Sequence, residues 1–383
     1  MNKVKAFIAT EVRIYEVGGH FYADASFARI IERYSKNIDE VVLATRIIKS
    51  TKIKDGYKKI DGYCCGFYSI GSIPEFLVKR VSNDIKDSIK ESDLVILRLP
   101  SLASSKLYSL ARKQSKTLLV EVMGCAWDAY WNHGVVGKII APFLFFYTKK
   151  MVRNANYCIY VTNEFLQKRY PHKDKKNTIA LSNVDISSLG SPKSYNSFDA
   201  KNFTLMTAAA LNVKYKGQQF VIKAISELKR KHGINVTYYL AGKGDSKWLK
   251  NLAEKYKVEG SIKILGMMPK EELHKKMREV DFYIQPSLQE GLPRSLIEAM
   301  SQGTVCFGSN VAGIPELLNK KQIFKGGSVP SIITTVLNTI DLNHFSTISE
   351  QGIETARLYS TDALDRRRHD FFRRVINDIK VGR

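Results

Sequence analysis

Residues 284–303 read IQPSLQEGLPRSLIEAMSQG. The stretch opens on the end of an apolar run, passes through turn formers in SLQEGLP, and continues with the helical spacing of Leu296, Ile297 and Met300. It reads as the end of a strand, a loop and the start of a helix. Pro293 is predicted at the first helical position, where its missing N–H costs nothing. The amides of Arg294, Ser295 and Leu296 then open beside the positive end of the helix dipole, a setting suited to a diphosphate. Glu290 falls on the loop and Glu298 about a turn and a half into the helix. Carboxylates accept hydrogen bonds from vicinal hydroxyls, so two acids flanking a phosphate cradle describe a nucleotide-sugar site. Taken alone, two glutamates at this spacing are more often solvated surface groups, and the neighbouring sequence has to decide.

Outward from this stretch, short apolar runs alternate with longer amphipathic segments, the pattern of stacked βα units. VKAFIAT, EVVLAT, LVILRLP, LLVEVMG and YCIYVT are predicted strands of a first series, with helices over 23–36, 75–90 and 104–115. Residues 183–201, rich in Ser and Asn with Gly190 and Pro192, read as a linker. FTLMTAAAL, VTYYLAG, IKILG, DFYIQPS and TVCFGS then form a second series, with helices over 218–231, 248–257, 271–279 and 295–301. The expected organisation is two doubly wound α/β domains, residues 1–190 and 200–360, with a terminal helix over 361–383 returning to the first. Ligands of such sheets bind beyond the carboxyl ends of the strands, which places the site in a cleft between the two domains.

The 383 residues are too many for one ordinary core, in keeping with two domains. No segment reaches the roughly 18–20 apolar residues needed to span a bilayer. The N-terminal run carries Glu11 and Glu16 and no cleavage signal, so a cytoplasmic protein is expected. Five cysteines without a CxxC pair, and seven histidines without an HxxxH pattern, give neither a disulfide framework nor a metal site. No Asp-x-Asp follows a credible strand either, so no cofactor or metal is expected. The charge balance, 60 Lys+Arg against 37 Asp+Glu, favours polyanionic partners: nucleic acid, an anionic membrane or phosphorylated ligands.

The stretch around Glu290 resembles the signature of the retaining glycosyltransferases of family 4, E-G-x-P-x-x-x-x-E-A-M-A-x-G followed by a strand and a G-x-P-E turn. The matching residues are Glu290, Gly291, Leu292 and Pro293, then Glu298, Ala299 and Met300, then Gly303, then Gly313, Ile314, Pro315 and Glu316. The resemblance implies the GT-B architecture, two Rossmann-like doubly wound domains facing across a cleft. It also implies transfer of a hexose from a nucleotide diphosphate sugar, with UDP the commonest nucleotide, to a glycan or lipid-linked acceptor in surface-polysaccharide assembly. By the same resemblance Glu290 contacts the donor sugar and Glu298 the ribose. Gly242 and Gly244 match the glycines after a strand, and 266–269, beginning at Gly266, matches the segment that holds the base. LNVKYKG matches the phosphate-contacting segment: Lys216 keeps the lysine, whereas the usual arginine position holds Ala210 or Leu211. Lys214 is open between a substitute for that arginine and a solvated lysine cluster.

In the first domain, Gly18 and Gly19 match the family's Gly-Gly loop after the first strand, followed by His20. EVMGCAWDAYWNHG resembles a segment of bacterial exopolysaccharide and capsule transferases. Asp128 is its catalytic candidate, and Trp127 and His133, with His20, are acceptor candidates; aromatic packing under a loop is the equal alternative for Trp127 and Trp131. From Val136 an apolar patch precedes basic residues, and 136–176 hold nine Lys+Arg against two acids. An interfacial helix on the anionic inner membrane surface and a core helix with a solvated basic end both fit. Another GT-B enzyme, an epimerase or a glycosyl phosphorylase, is the rival within enzymes. A nucleic-acid-binding protein is the rival outside them, and no nucleic-acid partner is expected because that reading leaves 284–316 unexplained.

Overall fold

The structure, a computed structural model, describes residues 3–131, 134–342 and 344–382. Packing divides the chain into two units, Met1–Asn183 with Asp365–Arg383, and Val184–Leu364.

The first unit is built on one sheet of β1 (Lys5–Val17), β2 (His20–Asp24), β3 (Glu40–Lys49), β4 (Tyr57–Lys59), β5 (Gly66–Ser69), β6 (Leu94–Leu99), β7 (Thr117–Val122), β8 (Tyr157–Tyr160) and β9 (Thr178–Ala180). The order β5-β3-β1-β6-β7-β8-β9 is parallel throughout, so the strands are covered on both faces and read as continuous apolar runs. β6 carries Arg98 and β7 carries Glu121 within such runs. Their register sets them side by side, with Nε 2.8 Å from Oε2. Burial alone would push the Glu121 carboxyl up, but Arg98 and donors from Tyr34 and Asn183 bring it below its ordinary range. β1 runs past its core partners, turns at Gly18 and Gly19 and pairs back with β2, which pairs in turn with β4. The helix Thr361–Val381 belongs to this unit from Asp365 onward. Asp378 accepts from the Tyr157 hydroxyl at 2.6 Å, and Phe372 meets Tyr34 edge-on.

The second unit has one parallel sheet of β10 (Asn202–Ala208), β11 (Asn235–Ala241), β12 (Ile262–Gly266), β13 (Phe282–Gln285), β14 (Val305–Ser309) and β15 (Ile323–Phe324), in the order β12-β11-β10-β13-β14-β15. Its core joins Val221, Ile225, Tyr238, Phe282, Ile284 and Phe307 with residues of flanking helices. The order reverses between β10 and β13, and that reversal is where open α/β sheets leave room for a ligand.

Two expectations change, and one boundary is sharpened. The helix expected over 75–90 is two, Ile73–Val78 and Asn83–Glu91, because Lys79 and Ser82 are extended and Ser82 starts the second. The segment expected as a linker is docked on the second unit from Val184 onward. The Gly190 amide donates to the Ser301 carbonyl at 2.8 Å, and Tyr195 stacks on Phe282. The terminal helix starts at Thr361 but passes to the first unit only at Asp365.

Candidate active site

Loops following β10, β11 and β13 are laced together at the carboxyl edge of the second sheet. The Leu288 amide donates to the Tyr215 carbonyl at 2.7 Å, and the Gly242 amide to the Gly266 carbonyl at 2.7 Å. Gly217 has φ +79°, and a Cβ there would stand 1.9 Å from the Pro286 carbonyl oxygen. Gly242, at φ +146°, is equally close to the Ala209 carbonyl. Only glycine permits both approaches.

Lys216 closes a short turn, Lys214–Lys216, and reaches across to the loop after β13. Its Nζ lies 2.6 Å from Glu290 Oε1, with side-chain exposures of 19% and 9%. The same oxygen accepts from Ser287 Oγ at 2.7 Å and Gln285 Nε2 at 3.1 Å. Gln285 is fully buried at the end of β13. Its carbonyl oxygen accepts from the Tyr283 hydroxyl at 2.9 Å and from Ser295 Oγ at 3.2 Å, which turns its amide nitrogen toward Glu290. Three donors on one carboxylate oxygen fix the group and leave the other oxygen's acceptor capacity for a ligand.

Pro293 is the cap of the helix Arg294–Ser301, with ψ 109°, and the first helical residue is Arg294 rather than the proline. The Gly291 carbonyl accepts from the Gly313 amide at 3.0 Å, and Pro293 is extended just before the helix begins. No side chain caps this helix, so the amides of Arg294, Ser295 and Leu296 stay outside its internal ladder. Arg294 is exposed, Ser295 half-buried, and Leu296 buried in the core. Glu298 is half-buried in the second turn.

Lys214 is exposed, and its carbonyl accepts from Gln219 Nε2 at 2.9 Å. Neither Ala210 nor the buried Leu211 brings a charge to the arginine position; the Ala210 carbonyl accepts from Gln218 Nε2 at 3.0 Å.

In the first unit Gly18 and Gly19 form the two-residue tip of the β1–β2 hairpin, both at positive φ, with His20 as the first residue of β2. The expected strand-to-helix glycine loop is therefore a hairpin turn, because β1 continues to Val17 and pairs back on itself before the helix Ala25–Ser35. His20 is exposed, 3.6 Å from Asp61. Asp128, on the short helix Ala126–Trp131, sits 3.7 Å from the Arg169 guanidinium. One face of Trp127 is stacked on Trp131 at 4.9 Å, and Phe145 meets it edge-on. His133 lies outside the described residues.

The structure thus brings Lys216, Glu290 and the start of the helix Arg294–Ser301 to one edge of one sheet. Gln285, Ser287 and the Ser295 hydroxyl joined them without being singled out from the sequence. The available signal was two polar side chains at the end of an otherwise apolar strand. Among the described residues, no three His, Cys, Asp or Glu side chains are placed to hold a metal ion.

Two parallel sheets of matching strand order, with a site at the switch point of the second, are the fold of the GT-B glycosyltransferases. UDP-bound HepE of Anabaena superposes with a TM-score of 0.68 at 14% identity, over 95% of this chain and 98% of that one. Residues 191–338 match the family described as Glycosyl transferases group 1. Protein CapJ of Staphylococcus aureus is 30% identical over 95% of this chain and 94% of its own length. The amylovoran biosynthesis glycosyltransferase AmsK of Erwinia amylovora is 34% identical over 30% of this chain and 29% of its own. The chain belongs to the group 1 glycosyltransferases, and its activity is glycosyl transfer.

Proposed function

We propose that the enzyme moves a hexose from a UDP-sugar to a glycan or lipid-linked glycan during assembly of a surface polysaccharide, with retention of anomeric configuration. The observation that carries the reading is the meeting of the Lys216 cation, the fixed Glu290 carboxylate and an uncapped helix start over β10 and β13. HepE, a protein of the same fold, is found in complex with UDP, and AmsK is a glycosyltransferase of amylovoran biosynthesis; both support the assignment. In this reading Lys216 and the amides of Arg294, Ser295 and Leu296 hold the diphosphate. Glu290 meets the donor sugar and Glu298 the ribose, while Gly242, Gly266, Gly291 and the Leu292–Pro293 backbone shape the pocket. Lys214 lends a secondary donor contact. Asp128, Trp127, His20 and His133 serve the acceptor side.

The bond from the anomeric carbon to the diphosphate oxygen breaks as the acceptor oxygen bonds to the same face of that carbon. The acceptor proton passes to the departing diphosphate, so no side-chain nucleophile is required. Lys216 and the helix amides are fixed partners for the charge that develops on the leaving group. The same partners support a metal-independent reaction.

The test begins with thermal stabilisation of the purified protein by UDP-, GDP- and ADP-sugars, since a bound ligand raises stability by mass action. Stabilisation by a UDP-sugar, a product of retained configuration by NMR, and turnover that persists in excess EDTA are the expected results. Turnover lost in EDTA and restored by Mg²⁺ would refute the metal-free chemistry. A product formed without acceptor, or only with inorganic phosphate, would replace the transferase reading with an epimerase or a phosphorylase.

A further inference from the structure

The helix Gly134–Asn154 in the first unit has two unlike faces. Gly137, Ala141, Leu144, Thr148 and Met151, at alternating spacings of four and three, are buried against the unit together with Val152. Tyr147 secures the helix by hydrogen bonds to Ser109 Oγ at 2.8 Å and the Ser105 carbonyl at 3.3 Å. The opposite face is apolar and open: Val135, Val136, Ile139, Phe143 and Phe146 are 76%, 68%, 62%, 74% and 66% exposed. A shallow hollow beside Phe143 and Phe146 is closed by Pro142, Tyr147 and Lys150. The other exposed large hydrophobics among the described residues are scattered singly or in pairs. Among the described residues only this helix gathers such a ridge, and leaving it in water is costly.

Charge on the helix points to what covers the ridge. Lys138, Lys149, Lys150 and Arg153 are exposed, and the helix contains no acid. A second copy of the chain seated face to face would set these cations against their own kind, so self-association is disfavoured. An anionic bilayer offers an apolar interior for the ridge and phosphates for the rim. The ridge from Val135 to Phe146 runs about 16 Å along the helix axis, a length suited to lying in the headgroup region. No helix among the described residues is long and apolar enough to cross a membrane, and one face of this helix is already committed to the protein core.

We propose that this face docks the enzyme on an anionic phospholipid surface, with Phe143 and Phe146 inserted and Lys149, Lys150 and Arg153 on the headgroups. The two contributions are separable. A well-placed lysine or arginine strengthens such binding about fivefold, so three together contribute on the order of 100-fold, and they are screened by salt. The two phenylalanines contribute about tenfold or more, and salt leaves that share intact.

The full chain is sedimented with vesicles of phosphatidylcholine alone and of phosphatidylcholine with about one third phosphatidylglycerol, a composition in the anionic range that draws polybasic segments. Binding to the anionic vesicles is expected at low salt, falling by about 100-fold or more in the Lys149→Glu, Lys150→Glu, Arg153→Glu variant. The Phe143→Ser, Phe146→Ser variant should bind about tenfold more weakly at every salt concentration. Thermal stabilisation by UDP in each variant reports an intact second unit, and a failure of UDP binding in the wild type would bear on the donor assignment without touching this one. Equal sedimentation of both variants and wild type would overturn the proposal. So would a wild-type dimer in free solution that the phenylalanine changes dissociate, because the ridge would then be a contact between copies.

Discussion

Replacing Lys216 by methionine keeps an unbranched chain and removes the ammonium 2.6 Å from Glu290 Oε1. Breaking one side of a buried ion pair typically costs about 3–5 kcal/mol, because the remaining charge is stranded. Glu290 is 9% exposed but keeps Ser287 and Gln285 as donors, so the cost here should be about 2 kcal/mol. For a unit the size of Val184–Leu364 that corresponds to a melting temperature lower by about 4–8 °C. Glu290→Gln should cost less, since an amide oxygen still accepts from both donors and the lysine tip can turn to water. The double variant is the informative one. With no carboxylate left to strand, it should recover much of the loss, a coupling of about 1 kcal/mol or more in a double-mutant cycle. UDP affinity should not recover with it, because the cation is still missing. The assay is ligand-free calorimetric melting of the four proteins beside UDP titration of each. Strict additivity of the two melting losses would show that the pair does not exist in solution, and unchanged UDP affinity in Lys216→Met would take the lysine out of the phosphate site.

Glu298→Ala should weaken UDP binding about tenfold or more, through loss of charge-assisted hydrogen bonds each worth roughly 1.5–3 kcal/mol; an unchanged affinity in the folded variant removes Glu298 from the ribose. Gly217→Ala should destabilise the second unit by more than about 2 kcal/mol, since a Cβ would meet the Pro286 carbonyl at 1.9 Å with φ at +79°; a wild-type melting temperature would mean that the two loops do not touch. Glu121 has a folded pKa below its ordinary value, so its stabilisation is complete above the unfolded value of about 4.3 and is lost as pH falls through the folded one. Glu121→Gln should therefore be less stable at neutral pH, with a shallower loss of stability below about pH 4.3; an acid limb identical to wild type would show that this carboxylate does not govern it.

Much of the second unit could be read from the chain because its signals are local. Apolar runs of strand length, Gly217 and Gly303 flanking helices, and the Glu290–Glu298 spacing each report on a few neighbouring residues. Readings failed where distant packing overrode local composition. Residues 183–201 look like a linker by their Ser, Asn, Gly and Pro, yet Tyr195 and Phe198 within them reach Phe282 and Phe345 and dock the segment. The β1–β2 hairpin was missed because Gly18 and Gly19 suit a phosphate-binding loop as well as a tight turn. Only the continuation of β1 to Val17 separates the two. Gln285 was passed over because an amide in an apolar strand is uninformative until Tyr283, Ser295 and Glu290 are seen around it. The ridge of the helix Gly134–Asn154 stayed undecided for a similar reason, since the same apolar residues serve a core or an open face equally well.

The last nineteen residues, Asp365–Arg383, pack into the unit that is made first. A ribosome releasing this chain presents β1 to β9 early, but Tyr34 and Tyr157 must await Phe372 and Asp378 while all of Val184–Leu364 is synthesised. At about 5–20 residues per second that delay is on the order of 10 to 40 s. The middle of the chain can therefore reach its native state before the beginning does. During that interval the first unit is a nascent chain with an open seam, and a premature stop upstream of Asp365 would leave the seam open permanently.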